Sequence, residues 1–105
     1  MIYELRIYHI LPGRWEAIND RFKNHTLSIF NRLGMKVVDF WESMEDKPKL
    51  YYVMEYESME ARDRQWETFR DDPEWIEART KSEEDGKIVE KVDVIFMKRA
   101  EYFRK

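Results

Sequence analysis

Four strand-length stretches of this 105-residue chain carry large apolar side chains on both of the faces that a β-strand presents. Successive strand residues point to opposite sides of a sheet, so each face is read at alternate positions. In residues 2–11, Tyr3, Leu5 and Ile7 oppose Ile2, Tyr8 and Ile10. In 35–44, Val37 and Trp41 oppose Val38 and Phe40; in 49–57, Tyr52, Met54 and Tyr56 oppose Tyr51 and Val53. In 87–98, Val92, Val94 and Phe96 oppose Val89, Ile95 and Met97. An antiparallel sheet with one wet face reads polar on that side, and this one does not. Leaving several large side chains in water forfeits about 1.5–3 kcal/mol each. Two coverings are therefore expected: helices on one face, and a second copy of the chain on the other. A ligand groove on that second face is the alternative.

Between the strands the apolar period changes to alternating three and four. Trp15, Ile18, Phe22, His25, Ile29 and Leu33 mark one face of a helix from about Arg14 to Leu33. Gly34 follows, suited to the left-handed residue that closes a helix. Ser58 is placed to cap a second helix whose inner face carries Met59, Arg62, Trp66 and Phe69. "DDPEW" then restarts a short helix, with Asp72 as cap and Pro73 at the first helical position, where its missing N–H costs nothing. "KSEEDGK" reads as a polar loop. The order is β-α-β-β-α-β. Right-handed crossovers place both helices on one face of a four-stranded antiparallel sheet, the ferredoxin-like α+β arrangement, in a single domain over 1–105. The sheet's other face is expected to dimerise into an α/β barrel.

Composition narrows the classes of function. Aromatic residues at 15% and charged residues at 39% suit a small dense core in a charged shell and argue against disorder. The net charge is −3 with both signs interspersed, and no basic patch tracks phosphates, so nucleic acid is not an expected partner. The absence of cysteine excludes disulfides, zinc–thiolate sites and thiol catalysis. No signal-peptide pattern or membrane span is read, which makes a cytoplasmic protein the default expectation.

His25 is the first candidate for chemistry. In the helical stripe it faces the sheet, where desolvation keeps an imidazole neutral and suited to act as a base. The other reading is a packed core histidine. Arg62, inside the second helix, is either an anion clamp over a substrate carboxylate or enolate, or the partner of a strand glutamate, because a buried guanidinium without acceptors is very costly. Arg6 and Glu4 share one face of the first strand. There they either form a buried network at a dimer interface or hold a polar ligand in a cavity. Trp41, Tyr52, Trp66 and Trp75 are candidate flat walls for an aromatic ligand. His9 and His25 lie on different elements without metal-ligand spacing, so no metal is expected. No nucleophile elbow or phosphate loop is present.

"YELRIYHILPG", "NHTLSIFNRLGMKVVDFW", "EYESMEARDRQW" and "DDPEW", in that order, resemble the NIPSNAP family of the dimeric α/β-barrel superfamily. Matching positions are Glu4, Leu5, Arg6, Pro12, Gly13, His25, Gly34, Trp41, Tyr56, Arg62, Pro73 and Trp75. The chain departs from the pattern at Asp39 and Phe40 and in the hairpin "EDKPK". The resemblance implies a ferredoxin-like protomer dimerised through its sheet, with a cavity between helices and sheet. The expected function is a homodimeric binder of a small aromatic or acidic ligand, with no bound cofactor. As an enzyme it would be a monooxygenase or isomerase using His25 as base and Arg62 or Arg6 as anion stabiliser, with Arg6, Trp41, Tyr52 and Trp66 binding the ligand. The alternatives are a non-catalytic adaptor module and a haem-binding protein.

Overall fold

The computed structural model describes residues 1–103. Four strands, β1 (Ile2–Ile10), β2 (Lys36–Glu42), β3 (Lys49–Tyr56) and β4 (Val89–Met97), form one antiparallel sheet in the order β2-β3-β1-β4. This is the ferredoxin-like order, with β1 and β3 central. All helices lie on one face. Among the described residues no helix is long and apolar enough to cross a membrane.

The first helix is continuous but not uniform. An α-helical segment α1 (Trp15–Arg21) runs into a π-helical turn (Phe22–Thr26) and then into α2 (Leu27–Arg32), with helical backbone at both joins. The Leu27 N–H donates to the Phe22 carbonyl, five residues back. A π turn inserts one extra residue into the helical phase. The residue inward of Phe22 is therefore Thr26, not His25. Thr26 is buried, its Oγ1 donating to the Arg21 carbonyl at 3.3 Å, and His25 is exposed. The expectation that His25 faces the sheet is corrected on this point. Just before the extra residue takes effect, Arg21 and Phe22 are buried side by side. Gly34 closes the helix with φ +74°, as its position predicts.

Ser58 caps α3 (Met59–Asp71), its Oγ accepting from Ala61 N at 3.1 Å. Trp66 and Phe69 are buried on the α3 inner face, but Met59, expected there, is 42% exposed. Asp72 caps α4 (Pro73–Ser82) and also accepts from Arg32 at 2.7 Å, which ties the end of α2 to the start of α4. α4 extends the short helix expected there and takes in Lys81 and Ser82, which the polar loop was expected to hold.

Two irregularities move strand residues between faces. In β2, Val37 pairs with Met54 and Asp39 with Val53, so Val38 is a bulge. Val37 and Phe40 therefore share the helix side, and Trp41 is on the other face, 49% exposed. A second shift, between His9 and Ile10, puts Val89 on the helix side with Val92, Val94 and Phe96. The core gathers Ile18, Phe22, Ile29 and Phe30 against Leu50, Tyr52, Met54 and Trp66, and the Phe40 ring stacks on Tyr52 at 5.0 Å and 7°.

The phase shift predicts an uneven response to truncation. His25→Ala is expected to change the unfolding free energy by less than about 0.5 kcal/mol. Ile29→Ala, at a fully buried position one turn on, is expected to cost about 2–5 kcal/mol. Urea titration of the two variants checks the pair.

Candidate functional site between helices and sheet

Alternate residues of β1 turn Glu4, Arg6 and Tyr8 toward the helices, each opposite a residue of β3 and of β4. The parity question left by the sequence is thus settled: Glu4 and Arg6 lie under the helices, not on the open sheet face. Glu4 is completely buried and serves as a hub. Its Oε1 accepts from Tyr56 Oη at 2.7 Å and from Arg62 Nε and Trp66 Nε1 at 3.3 Å each. Its Oε2 accepts from Arg62 Nη2 at 2.8 Å and Arg6 Nη1 at 2.9 Å. The Tyr56 hydroxyl in turn accepts from Trp66 Nε1 at 2.7 Å.

From Arg6 the chain of bonds continues along the strand. Arg6 Nε donates to Tyr52 Oη at 2.9 Å, and the Tyr52 and Tyr8 hydroxyls are 2.9 Å apart. The Arg6 guanidinium also stands over the Trp66 ring at 4.2 Å, a cation–π contact. Glu4, Arg6, Tyr52 and Tyr8 therefore form one relay from the centre of the domain to Tyr8, which lines an open cleft of about 430 Å³ between the helices and the β1–β4 side of the sheet. At the other end, Arg62 extends over the Phe96 ring of β4 at 5.3 Å.

Electrostatics follow from these contacts. Burial alone would raise the Glu4 pKa, but hydrogen bonds from Arg62 and Tyr56 and the charge of Arg6 bring it below the ordinary carboxylate value. Burial works against the Arg6 charge, yet the Tyr52 and Tyr8 oxygens and Glu4 more than offset it, and Arg6 holds its proton more tightly than usual. Burial, then the neighbouring Tyr8 oxygen, pushes the Tyr52 phenol well up, and burial with the Glu4 contact raises Tyr56. At neutral pH Glu4 is thus an ionised carboxylate, Arg6 a guanidinium and Tyr52 a neutral hydroxyl. The relay offers hydrogen bonds and positive charge rather than a free base.

The expected site residues divide in the structure. Arg6, Tyr52, Trp66 and Arg62 come together around Glu4. Arg62 has Glu4 on Nε and Nη2 and Asp63 on Nη1 at 3.1 Å, which is the strand-glutamate pairing and not an open anion clamp. Trp41 is on the opposite face of the sheet, because the β2 bulge moved it there. His25 is on the outward side of its helix, lining a depression with Glu74, Glu77, Ala78 and Lys81, outside the Glu4 network that holds Arg6 and Arg62. Two residues were missed, Tyr8 and Arg21. Tyr8 was legible as the third member of the Glu4–Arg6 face, and Arg21 as the three-residue step inward from Ile18. Among the described residues no cluster of three His, Asp or Glu converges as a metal site.

A sheet of this order, with helices on one face and a polar seam beneath them, defines a ferredoxin-like α+β domain whose candidate site lies between the layers. The NIPSNAP family model matches residues 3–104, and the chain belongs to that family. Its fold is similar to that of an uncharacterized NIPSNAP domain protein from Burkholderia xenovorans (TM-score 0.83, 18% identity, 100% of each chain). It is also similar to a NIPSNAP family protein with unknown function from Agrobacterium tumefaciens (0.82, 21%, covering 98% of this chain and 91% of that one). A more distant likeness is to a proposed antibiotic biosynthesis monooxygenase from Nitrosomonas europaea (0.66, 12%, 94% and 98%). A search of curated proteins found no match.

The Glu4 hub carries a stability prediction with a definite pH sense. A carboxyl whose pKa is lower folded than unfolded stabilises the fold above the ordinary value of about 4.3, and loses that contribution as pH falls through the folded value. Glu4→Gln leaves Arg6 and Arg62 without their shared counter-charge and is expected to cost about 3–5 kcal/mol at neutral pH. The acid limb of its stability curve should also be flatter than that of the wild type. Urea unfolding at a series of pH values from neutral to acid measures both effects.

Proposed function

We propose that the chain is a homodimeric binder of a small aromatic or acidic ligand, acting in the cytoplasm, with its site along the helix-side strip of β1 and β4. The observation that carries the binding reading is that the helices stop short of β4. Val92, Val94 and Phe96 face the helix side yet remain 37%, 40% and 46% exposed, next to Arg6, Tyr8 and Arg62. An apolar strip bordered by a few convergent polar groups is the usual make-up of a small-molecule site. The Arg62–Glu4 pairing suits a non-catalytic adaptor as well; the cleft beside Tyr8 favours binding. The absence of cysteine is compatible with a reducing compartment.

Dimerisation is supported by the other face. Leu5, Ile7, Val53, Ile95 and Met97 lie there with no helix over them, flanked by Tyr3, Lys36 and Glu55 at one end and His9 and Asp93 at the other. A second copy related by a two-fold axis would bury the apolar centre and leave the charged ends at the rim. A second reading, cofactor-free oxygenation or isomerisation of the same ligand, is favoured by the Arg6–Tyr52–Tyr8 relay, which is suited to stabilise an oxyanion. His25 is outside that arrangement. The likeness to the Nitrosomonas europaea protein is compatible with such chemistry and is one of fold.

Two measurements test the proposal. Sedimentation should give a dimer that Ile95→Asp converts to a folded monomer. Titration with 1-naphthol should shift the methyl resonances of Val92 and Val94 saturably and leave those of Val53 in place. A wild-type monomer overturns the first part, and unmoved Val92 and Val94 overturn the second. Oxygen uptake during the same titration reads out the catalytic alternative.

A further inference from the structure

Arg21 is a buried charge with little to balance it. Its side chain is only 7% exposed. Nη1 donates to Ser82 Oγ at 3.2 Å, and the guanidinium lies over the Trp75 ring at 5.2 Å. The nearby carboxylate, Glu83, stands 3.6 Å away, beyond hydrogen-bond reach, and is shared with Arg79 at the same distance. The Nε–H is buried with no acceptor. Arg14 also has an unpartnered Nε, but its Nη2 donates to the Ser82 and Gly86 carbonyls at 2.9 and 3.0 Å, and it does not line the cleft. Burial draws the Arg21 pKa down, with Tyr8 and Glu83 only partly opposing it, whereas Arg6, Arg32 and Arg62 are all raised. A guanidinium cannot shed its proton to escape this. A bound anion would supply the balance that Glu83, at 3.6 Å, gives only in part.

The cleft provides the place for one. Tyr8 and Arg21 line it together, and Arg79, Lys87 and Lys91 stand around it. That makes four cationic side chains against the single carboxylate of Glu83, in a chain whose net charge is −3. Val89 and Val92 supply an apolar wall that leads onto the uncovered strip of β4. The C-terminal end of α4, through Arg79 and its C-cap Glu83, borders the same space. The negative end of a helix dipole disfavours a multiply charged group such as phosphate more than it disfavours a monoanion.

We infer that this cleft binds the carboxylate of a small, largely apolar acid, with Arg21 receiving the carboxylate and Val89 and Val92 against the apolar part. The inference rests on the reading of the β4 strip as the ligand site, and adds to it the ligand's charge and the residue that reads it. Arg79, Lys87 and Lys91 raise the local potential for anions. Arg21 is inward as the three-residue step from Ile18, and the π turn begins directly after it; such turns recur at functional sites.

The test compares phenylacetate with phenylacetamide on the wild-type protein, followed by the Arg21 Nε–H resonance and the methyl groups of Val92. A charge-assisted bond to a guanidinium should favour the acid by about ten- to hundredfold and shift Arg21 Nε–H. Arg21→Gln should erase the preference. Because Arg21 also packs on Trp75, the exposed double variant Lys87→Gln with Lys91→Gln is a second arm, expected to weaken the acid by about two- to fivefold with the fold intact. Equal affinity for acid and amide overturns the inference, as does an unchanged preference in folded Arg21→Gln or in the double variant. Tighter binding of inorganic phosphate than of phenylacetate also overturns it. If these fail while 1-naphthol still shifts Val92 and Val94, the ligand site stands without its anion subsite; if 1-naphthol fails too, the site itself is refuted.

Discussion

The carboxylate of Glu4 is the interaction on which the helix–sheet arrangement turns. It is fully buried on the central strand β1, and the groups it binds come from three elements: Arg6 from its own strand, Tyr56 from β3, Arg62 and Trp66 from α3. A buried carboxylate is tolerable only when its lone pairs are filled by well-placed donors, and here two of the donors are cations. The geometry that satisfies Glu4 therefore sets where α3 lies on the sheet and which way Arg6 and Trp66 point. Within the buried part of the hub, one carboxylate faces two guanidiniums, and Asp63 adds a second carboxylate on the exposed side of Arg62. The relay through Tyr52 carries a line of hydrogen bonds from the hub to the cleft at Tyr8.

Around that hub, departures from regular geometry decide what each face presents. The π turn after Arg21 keeps Thr26 inward behind Phe22 and leaves His25 outside. The bulge at Val38 puts Phe40 against Tyr52 and turns Trp41 to the other face. The shift beside Ile10 brings Val89 to the wall of the cleft. Each irregularity is one residue long. Each one changes the side that everything beyond it faces, because the strand period is two and the helical stripe is narrow.

The edge strand β4 has a different role from the other three. It pairs only with β1, and its apolar residues are partly exposed on both faces. The face away from the helices continues the apolar centre formed by Leu5, Ile7 and Val53, and suits a second copy of the chain. The face toward the helices is left open beside Arg6, Arg62 and the cationic cleft. The proposed binding and association surfaces thus fall on opposite sides of one strand.

The order of elements, the caps at Ser58 and Asp72, the close at Gly34 and the apolar character of both sheet faces were all legible in the amino-acid string. Each rests on local chemistry: periodicity, a side-chain oxygen meeting free N–H groups, a backbone conformation that glycine reaches without strain. The pairing of Arg62 with a strand glutamate was legible as one of two readings, since a buried guanidinium needs acceptors. The position of His25 was not legible, because no residue in "FKNHT" marks where a helix will take an extra residue; that depends on what packs best against the sheet. The face shared by Glu4 and Arg6, the displacement of Trp41 and the unbalanced burial of Arg21 were settled only by packing. They depend on contacts between residues far apart in the chain, and alternation along a single strand cannot say which side the helices will cover.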